Sequence, residues 1–122
     1  MMPHKRAVLV ANVNGHDPWT PMFRGSNIDP MLVPNIEEAS RIMQNNSVDA
    51  IVVVGDPPEM DVLIKWRNAV PGVPMIFIRD SETLEPDLIT RIGRVFVIGA
   101  NTAKTRLPAC LKIASVVSDI RN

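Results

Sequence analysis

The chain has 122 residues, of which 46% are hydrophobic and 21% are charged, and its formal net charge is zero. This length fits one domain, residues 1–122, with a buried core. The neutral balance gives no sign of binding to nucleic acid or to an anionic membrane. No apolar run is long enough to span a bilayer, and the single cysteine, Cys110, excludes an internal disulfide. We therefore expect a cytoplasmic protein that binds neither nucleic acid nor membrane.

Strand and helix patterns alternate along the chain. Short apolar runs predict five strands, at 7–13, 28–33, 50–54, 74–78 and 95–100. Amphipathic or capped segments predict helices at 36–45 (after a capping Asn35), 57–70 and 84–92, and a last helix that ends near Ile120. This alternation predicts an α/β domain with a five-stranded parallel sheet and helices on both faces.

The segment 15–25 interrupts the alternation. Two prolines between two glycines leave room for about two helical turns, so the first helix is expected to be short or distorted. Three apolar residues in this segment are expected to cap the carboxyl edge of the sheet or to contact a partner: Trp19, Met22 and Phe23. Pro30 further predicts that the strand 28–33 lies at an edge of the sheet.

The segment 47–61, SVDAIVVVGDPPEMD, resembles the third strand and following loop of response-regulator receiver domains, where D-L-V-L-L-D precedes M-P-G-M-D. IDPMLVPNIEEA at 28–39 is similar to the receiver stretch Y-E-V-V-T-A-x-N-G-E-E-A. GVPMIFI at 72–78 is similar to the fourth strand, x-x-P-V-I-x-L-T-A. The resemblance runs from about Lys5 to Ile120, and it implies the receiver fold and a role in two-component signal transduction.

The positions that carry chemistry in receivers are changed in this chain. The acidic pair that binds magnesium falls at Ala11 and Asn12, and the phosphoryl-accepting aspartate falls at Val54. Arg79 stands at the Thr or Ser that closes strand four, and the Lys that closes strand five falls near Ala100. Phosphoryl transfer to a carboxylate needs that carboxylate and a metal. The resemblance therefore implies a degenerate member, a pseudo-receiver that is not an enzyme and holds no metal or cofactor.

A pseudo-receiver acts through contact with a protein partner, and a second copy of the chain is one candidate. Receivers commonly signal through helix four, strand five and helix five. These elements correspond to 84–92, 95–100 and the last helix, which makes four residues candidates for the interaction face: Leu84, Ile92, Phe96 and Leu107. Phe96 is the counterpart of the family's switch aromatic, although Val97 competes for that place. Trp66 is either a contact anchor or a core residue.

A displaced site is an alternative. Asp17, Asp56 and Asp80 each follow the carboxyl end of a strand, where open α/β folds bind ligands. They could hold a metal or offer a new acceptor at Asp56, with Lys104 nearby. The simpler interpretation is that Asp56 caps the helix 57–70 and that the other two are solvated carboxylates or partners of Arg79. We also expect Arg79 to pair with Asp56 or Asp80 across neighbouring strand ends.

A flavodoxin-like domain that binds a ligand is a second alternative. The segment 14–19, NGHDPW, resembles the D-x-H-x-x-G loop of cobalamin-binding domains, in which the histidine coordinates cobalt. Asn14 and Trp19 replace the family's Asp and Gly. Gly55-Asp56 and Arg79-Asp80 stand where its later Ser and Gly-Gly motifs belong. These departures favour a surface role for His16.

Cys110 lies within the last helix. This position favours a buried structural thiol.

Overall fold

The computed structural model describes residues 5–11, 17–45, 47–80 and 85–121, with side chains described as far as Lys112. The strands are β1 (Lys5–Val10), β2 (Ile28–Val33), β3 (Ala50–Val54), β4 (Met75–Arg79) and β5 (Val95–Gly99). The helices are α1 (Thr20–Gly25), α2 (Ile36–Asn45), α3 (Met60–Ala69), α4 (Pro86–Ile92) and α5 (Ala103–Arg121), with a 3₁₀ turn at 100–102 before α5. All pairings are parallel and the strand order is β2-β1-β3-β4-β5. The predicted α/β fold with a five-stranded parallel sheet is confirmed.

Side chains of the central strands alternate between two apolar layers. In β3, Ile51 and Val53 pack on the face that carries α2, α3 and α4, whereas Ala50 and Val52 pack on the face that carries α1 and α5. The strands β1, β3 and β4 are apolar on both faces because both faces are covered. This arrangement explains why β3 reads as an unbroken apolar run, and it brings the carboxyl ends of the strands to one edge.

The first helix is short, as predicted, but its apolar residues are not exposed. α1 has six residues and carries Pro21 in its first turn. Phe23 is fully buried, and Trp19 and Met22 are half-buried against the same cluster on the α5 side of the sheet. Of the two roles expected for these residues, contact with a partner does not hold for Phe23, because this helix closes the core beside β2. Pro30 lies in β2, an edge strand, as predicted.

Two helix starts test the capping predictions. The Oδ1 atom of Asn35 accepts the N–H of Glu38 at 2.9 Å, which confirms Asn35 as the cap of α2. The prediction that Asp56 caps the next helix was wrong, because α3 begins at Met60 and its N-cap residue is Glu59. A residue that precedes proline is disfavoured in the helical region. The Asp56-Pro57-Pro58 sequence therefore delays the helix by three residues.

Trp66 belongs to the core rather than to a contact surface. Its side chain is 2% exposed, and its Nε1 donates a hydrogen bond to the Ser40 hydroxyl at 2.8 Å. The partner satisfies the one polar atom that burial of the indole would otherwise leave unpaired. No helix in the described ranges is long and apolar enough to cross a membrane.

Candidate functional site at the carboxyl edge of the sheet

The carboxyl ends of β3, β4 and β5 meet at an open cleft. Val54 pairs with Ile78, and Arg79 pairs with Gly99, so the three strand ends lie side by side. The cleft has a volume of about 430 Å³ and is lined by Val54, Gly55, Asp56, Ile78, Arg79, Asp80 and Ala100. Three of the five positions at which the active-site residues of receivers are replaced therefore line the same cleft, namely Val54, Arg79 and Ala100.

The position of the acceptor carboxylate is apolar. Val54 is half-buried and packs against the cluster on the α1–α5 side, to which Ala11 also belongs with 4% exposure. Trp19 and Met22 pack against this same cluster. Hydrocarbon side chains carry no lone pair that could attack phosphorus, and magnesium requires oxygen ligands. Asn12, the other half of the expected acidic pair, lies outside the described residues.

Arg79 and Asp56 form an ion pair across the ends of β4 and β3. The Nη2 atom of Arg79 lies 3.2 Å from the Oδ1 atom of Asp56, which confirms one of the two pairings expected for this arginine. The Asp56 side chain is 83% exposed and the Arg79 side chain 25% exposed. Gly55, at φ 127°, donates its N–H to the Ile78 carbonyl at 2.7 Å and turns the chain out of the sheet before Asp56. A pair this exposed contributes at most about 1 kcal/mol.

The residues of the displaced-site alternative are only partly brought together. Asp56 and Asp80 line the cleft with Arg79, but Lys104 is exposed on α5 and does not line it. Asp17 caps the approach to α1 instead, since its carboxylate accepts the N–H groups of Trp19 at 2.9 Å and Thr20 at 3.2 Å, and also the Thr20 hydroxyl.

Local hydrogen bonding explains why Asp17 does not join Asp56 and Asp80 at the cleft. An Asp-Pro pair just before a helix is typical of an Asx turn, a signal that could have identified this role from the sequence. Within the described residues, no three His, Cys, Asp or Glu side chains are arranged to hold a metal ion. The residues present at this edge thus form an ion pair beside an apolar layer.

The loop expected from the cobalamin resemblance is described only at its end. Asn14 and His16 lie outside the described residues. Trp19, at the place of that family's glycine, packs its indole against the core. A side chain of this size fills space at the point where the family's loop has a residue with no side chain.

Two of the four residues predicted for an interaction face are buried in the core. Ile92 is 5% exposed and Leu107 is fully buried, so both belong to the core, which corrects their assignment to the face. Phe96 is 41% exposed on β5, and Ile89 is 51% exposed on α4. Leu84 lies outside the described residues.

Helical spacing explains the correction. Leu88 and Ile92, four residues apart, form the inward stripe of α4. Ile89 therefore points away from the core. It was not among the residues predicted from the sequence for the interaction face. Leu107 and Leu111 form the corresponding inward stripe of α5, since both are fully buried.

Cys110 is a half-buried residue of α5 with a free thiol. Burial raises the pKa of its thiol, and the nearby Arg106 charge opposes this rise only in part. The thiolate is the reactive form of cysteine. A raised pKa therefore fits the predicted structural role.

Comparisons with known proteins identify the fold. No protein-family model and no curated protein matches the sequence. Among solved structures, the signal receiver domain of an HD-domain-containing protein from Pseudomonas fluorescens Pf-5 aligns with a TM-score of 0.76 at 13% identity, covering 99% of this chain and 93% of that one. The receiver domain of NtrC4 from Aquifex aeolicus aligns with a TM-score of 0.71 at 14% identity, covering 93% and 98%.

A third similar structure holds a metal ion. The receiver domain of a sensor histidine kinase from Pseudomonas aeruginosa PAO1, with magnesium coordinated in its active-site cleft, aligns with a TM-score of 0.64 at 18% identity, covering 91% of this chain and 97% of that one. At such low identities the likeness establishes the fold and not the activity. The chain thus has the fold of receiver domains, and its own residues decide what its cleft can do.

Proposed function

We propose that this protein is a receiver-fold regulatory module of signal transduction that binds a protein partner and does not accept a phosphoryl group. The observation that carries the proposal is Val54, which closes β3 and packs its side chain with the apolar cluster that contains Ala11. With no carboxylate there, the nucleophile is missing at the position that the resemblance assigns to it. The module is accordingly a cytoplasmic, non-enzymatic protein without cofactor or metal.

The partner contact is assigned to the edge of the sheet at β5. β5 is an edge strand, and Phe96 on it and Ile89 on the neighbouring α4 are both large, apolar and exposed. Exposed apolar side chains can mark interaction sites, and aromatic residues often anchor them. A protein partner is the occupant that this chemistry favours, and a second copy of the chain is one form it can take.

Two variants and one matched control test this face. Phe96→Asp and Ile89→Asp each place a charge at an exposed apolar position of the proposed contact region, whereas Leu32→Asp places one on β2, the opposite edge strand, at a residue that is 40% exposed. We expect partner capture from the native organism, and any self-association seen by sedimentation, to be lost in the first two variants and kept in the third. Binding by Phe96→Asp equal to that of the unaltered chain would contradict the assignment.

A displaced acceptor at Asp56 is a second candidate, favoured by one observation. The Asp56 carboxylate is 83% exposed at the end of β3 and lines the cleft, so a phosphodonor could reach it. Treatment with acetyl phosphate and magnesium, with Asp56→Asn as the control, separates the two candidates. A phosphoryl adduct that disappears in Asp56→Asn supports the displaced acceptor, and an unchanged mass supports the pseudo-receiver.

A further inference from the structure

Arg67, in the last turn of α3, binds the backbone of two separate connections at the amino end of the sheet. Its Nη1 donates to the carbonyl oxygens of Val73 at 2.6 Å and Val70 at 3.3 Å, in the connection from α3 to β4. Its Nε donates to the carbonyl of Ile92 at 2.8 Å, and its Nη2 to that of Gly93 at 2.7 Å. One side chain thus joins the end of α3 to the turn between α4 and β5, and all three guanidinium nitrogens take part.

The α4–β5 turn that Arg67 binds contains two residues at positive φ. Gly93 has φ 67° and ψ 159°, which glycine adopts without strain because it has no Cβ atom. Arg94 follows at φ 49°, in the left-handed region that residues with a Cβ atom avoid. The carbonyl of Arg94 accepts the N–H of Met75 at 2.9 Å, so this same turn aligns β5 against β4. A turn of this kind persists only where its surroundings hold it.

Charge also opposes the observed arrangement. Burial, and to a smaller extent the charge of Arg94, lowers the pKa of Arg67, yet a guanidinium remains protonated at physiological pH. The four hydrogen bonds of Arg67 all go to neutral carbonyl oxygens. Charge-assisted hydrogen bonds therefore hold the turn against both backbone strain and the repulsion between two arginines.

We propose that Arg67 is a clamp whose four bonds hold the α4–β5 turn, and with it the relative position of Ile89 and Phe96, in the observed conformation. Without the clamp, the unfavourable positive φ of Arg94 relaxes, and α4 then moves relative to β5 while the rest of the sheet stays folded. The consequence for partner binding rests on the proposed function. The conformational change itself does not, because it concerns only the backbone of the turn.

Hydrogen–deuterium exchange of the whole chain, read by mass spectrometry, tests the clamp. In Arg67→Met we expect exchange in residues 88–97 to accelerate on the order of tenfold to a hundredfold, as for loss of hydrogen bonds to a charged group. The amides of β1 and β3, which open with global unfolding, are expected to accelerate less than those of residues 88–97. Arg67→Lys keeps the charge but lacks the planar guanidinium and its fixed set of N–H donors, so its exchange is expected to accelerate in the same way. If Arg67→Met does not fold, the Arg67→Lys variant is used for the measurement instead. The matched control is Lys65→Met, an exposed residue of the same helix, which is expected to change nothing.

Relief of strain separates a clamp from an ordinary stabilising contact. Arg94→Asn removes the like charge and supplies a residue that tolerates the left-handed region. In the Arg67→Met background it is expected to slow exchange in 88–97 again by several-fold. Uniform acceleration over all five strands, or no effect of Arg94→Asn in this background, would overturn the proposal. Neither result depends on a partner, so failure of the clamp and failure of the proposed function can be told apart.

Discussion

The two ends of the sheet each hold a partly buried arginine, in opposite ways. At the carboxyl end, Arg79 contacts the exposed carboxylate of Asp56. At the amino end, Arg67 binds four backbone carbonyls contributed by two connections. An exposed ion pair can be altered with little cost to folding, whereas a guanidinium bonded to backbone determines where chain segments lie. Side chains at the carboxyl end of the sheet can thus be replaced with little loss of stability. At the amino end, Arg67 determines the positions of two chain connections.

The largest expected difference between the two ends is in folding stability. Arg67→Met leaves several carbonyls without their donor and is expected to lower the free energy of unfolding by about 2–4 kcal/mol. Arg79→Met removes a pair with a strongly exposed partner and is expected to cost about 1 kcal/mol or less. Urea denaturation of both variants gives the two values under one condition. Equal losses would remove the distinction between the two ends.

A carboxylate introduced at position 54 is expected to lower the folding stability without allowing phosphoryl transfer. Val54→Asp places a charge beside the apolar cluster and is expected to lose about 1–3 kcal/mol at neutral pH. The loss is expected to shrink as the pH falls toward about 4, because burial raises the pKa of the introduced carboxyl group and the folded protein then holds it protonated. Val54→Asn is the neutral control of matching size and should show no such pH dependence. Efficient phosphorylation of Val54→Asp alone would mean that Ala11 does not limit metal binding as the account requires.

The smallest expected effect belongs to Asp56. Asp56→Asn removes the charge from one exposed partner of the ion pair, and the midpoint of thermal unfolding is expected to shift by less than the equivalent of about 1 kcal/mol. Asp80→Asn, at the exposed residue that follows β4, is the matched control. A loss with Asp56→Asn comparable to that with Arg67→Met would show that the carboxyl end is as constrained as the amino end.

The sequence predicted those features that depend on local pattern. The bounds of β3 and the edge position of β2 followed from an apolar run and from Pro30, because both signals lie within the element itself. The start of α3 was misplaced because consecutive prolines after Asp56 compete with its capping preference.

Features that depend on tertiary packing could not be predicted in the same way. Ile92 and Leu107 are apolar helix residues whose exposure depends on which side of each helix meets the sheet, and adjacent Ile89 was missed for that reason. The role of Arg67 was equally hidden, since the carbonyls it binds lie up to 26 residues away along the chain. No spacing rule links a side chain to backbone acceptors that only the folded topology brings near.

Mass spectrometry of the intact protein after incubation with acetyl phosphate and magnesium tests whether any residue accepts a phosphoryl group. We expect an unchanged mass, because Val54 supplies no nucleophile and Ala11 no metal ligand. We also expect the midpoint of thermal unfolding to be indifferent to millimolar magnesium, since a ligand stabilises only a protein that binds it. A stoichiometric increase of one phosphoryl group that is lost in Asp56→Asn, together with an upward shift of the midpoint in magnesium, would contradict the account and assign phosphotransfer to the displaced carboxylate.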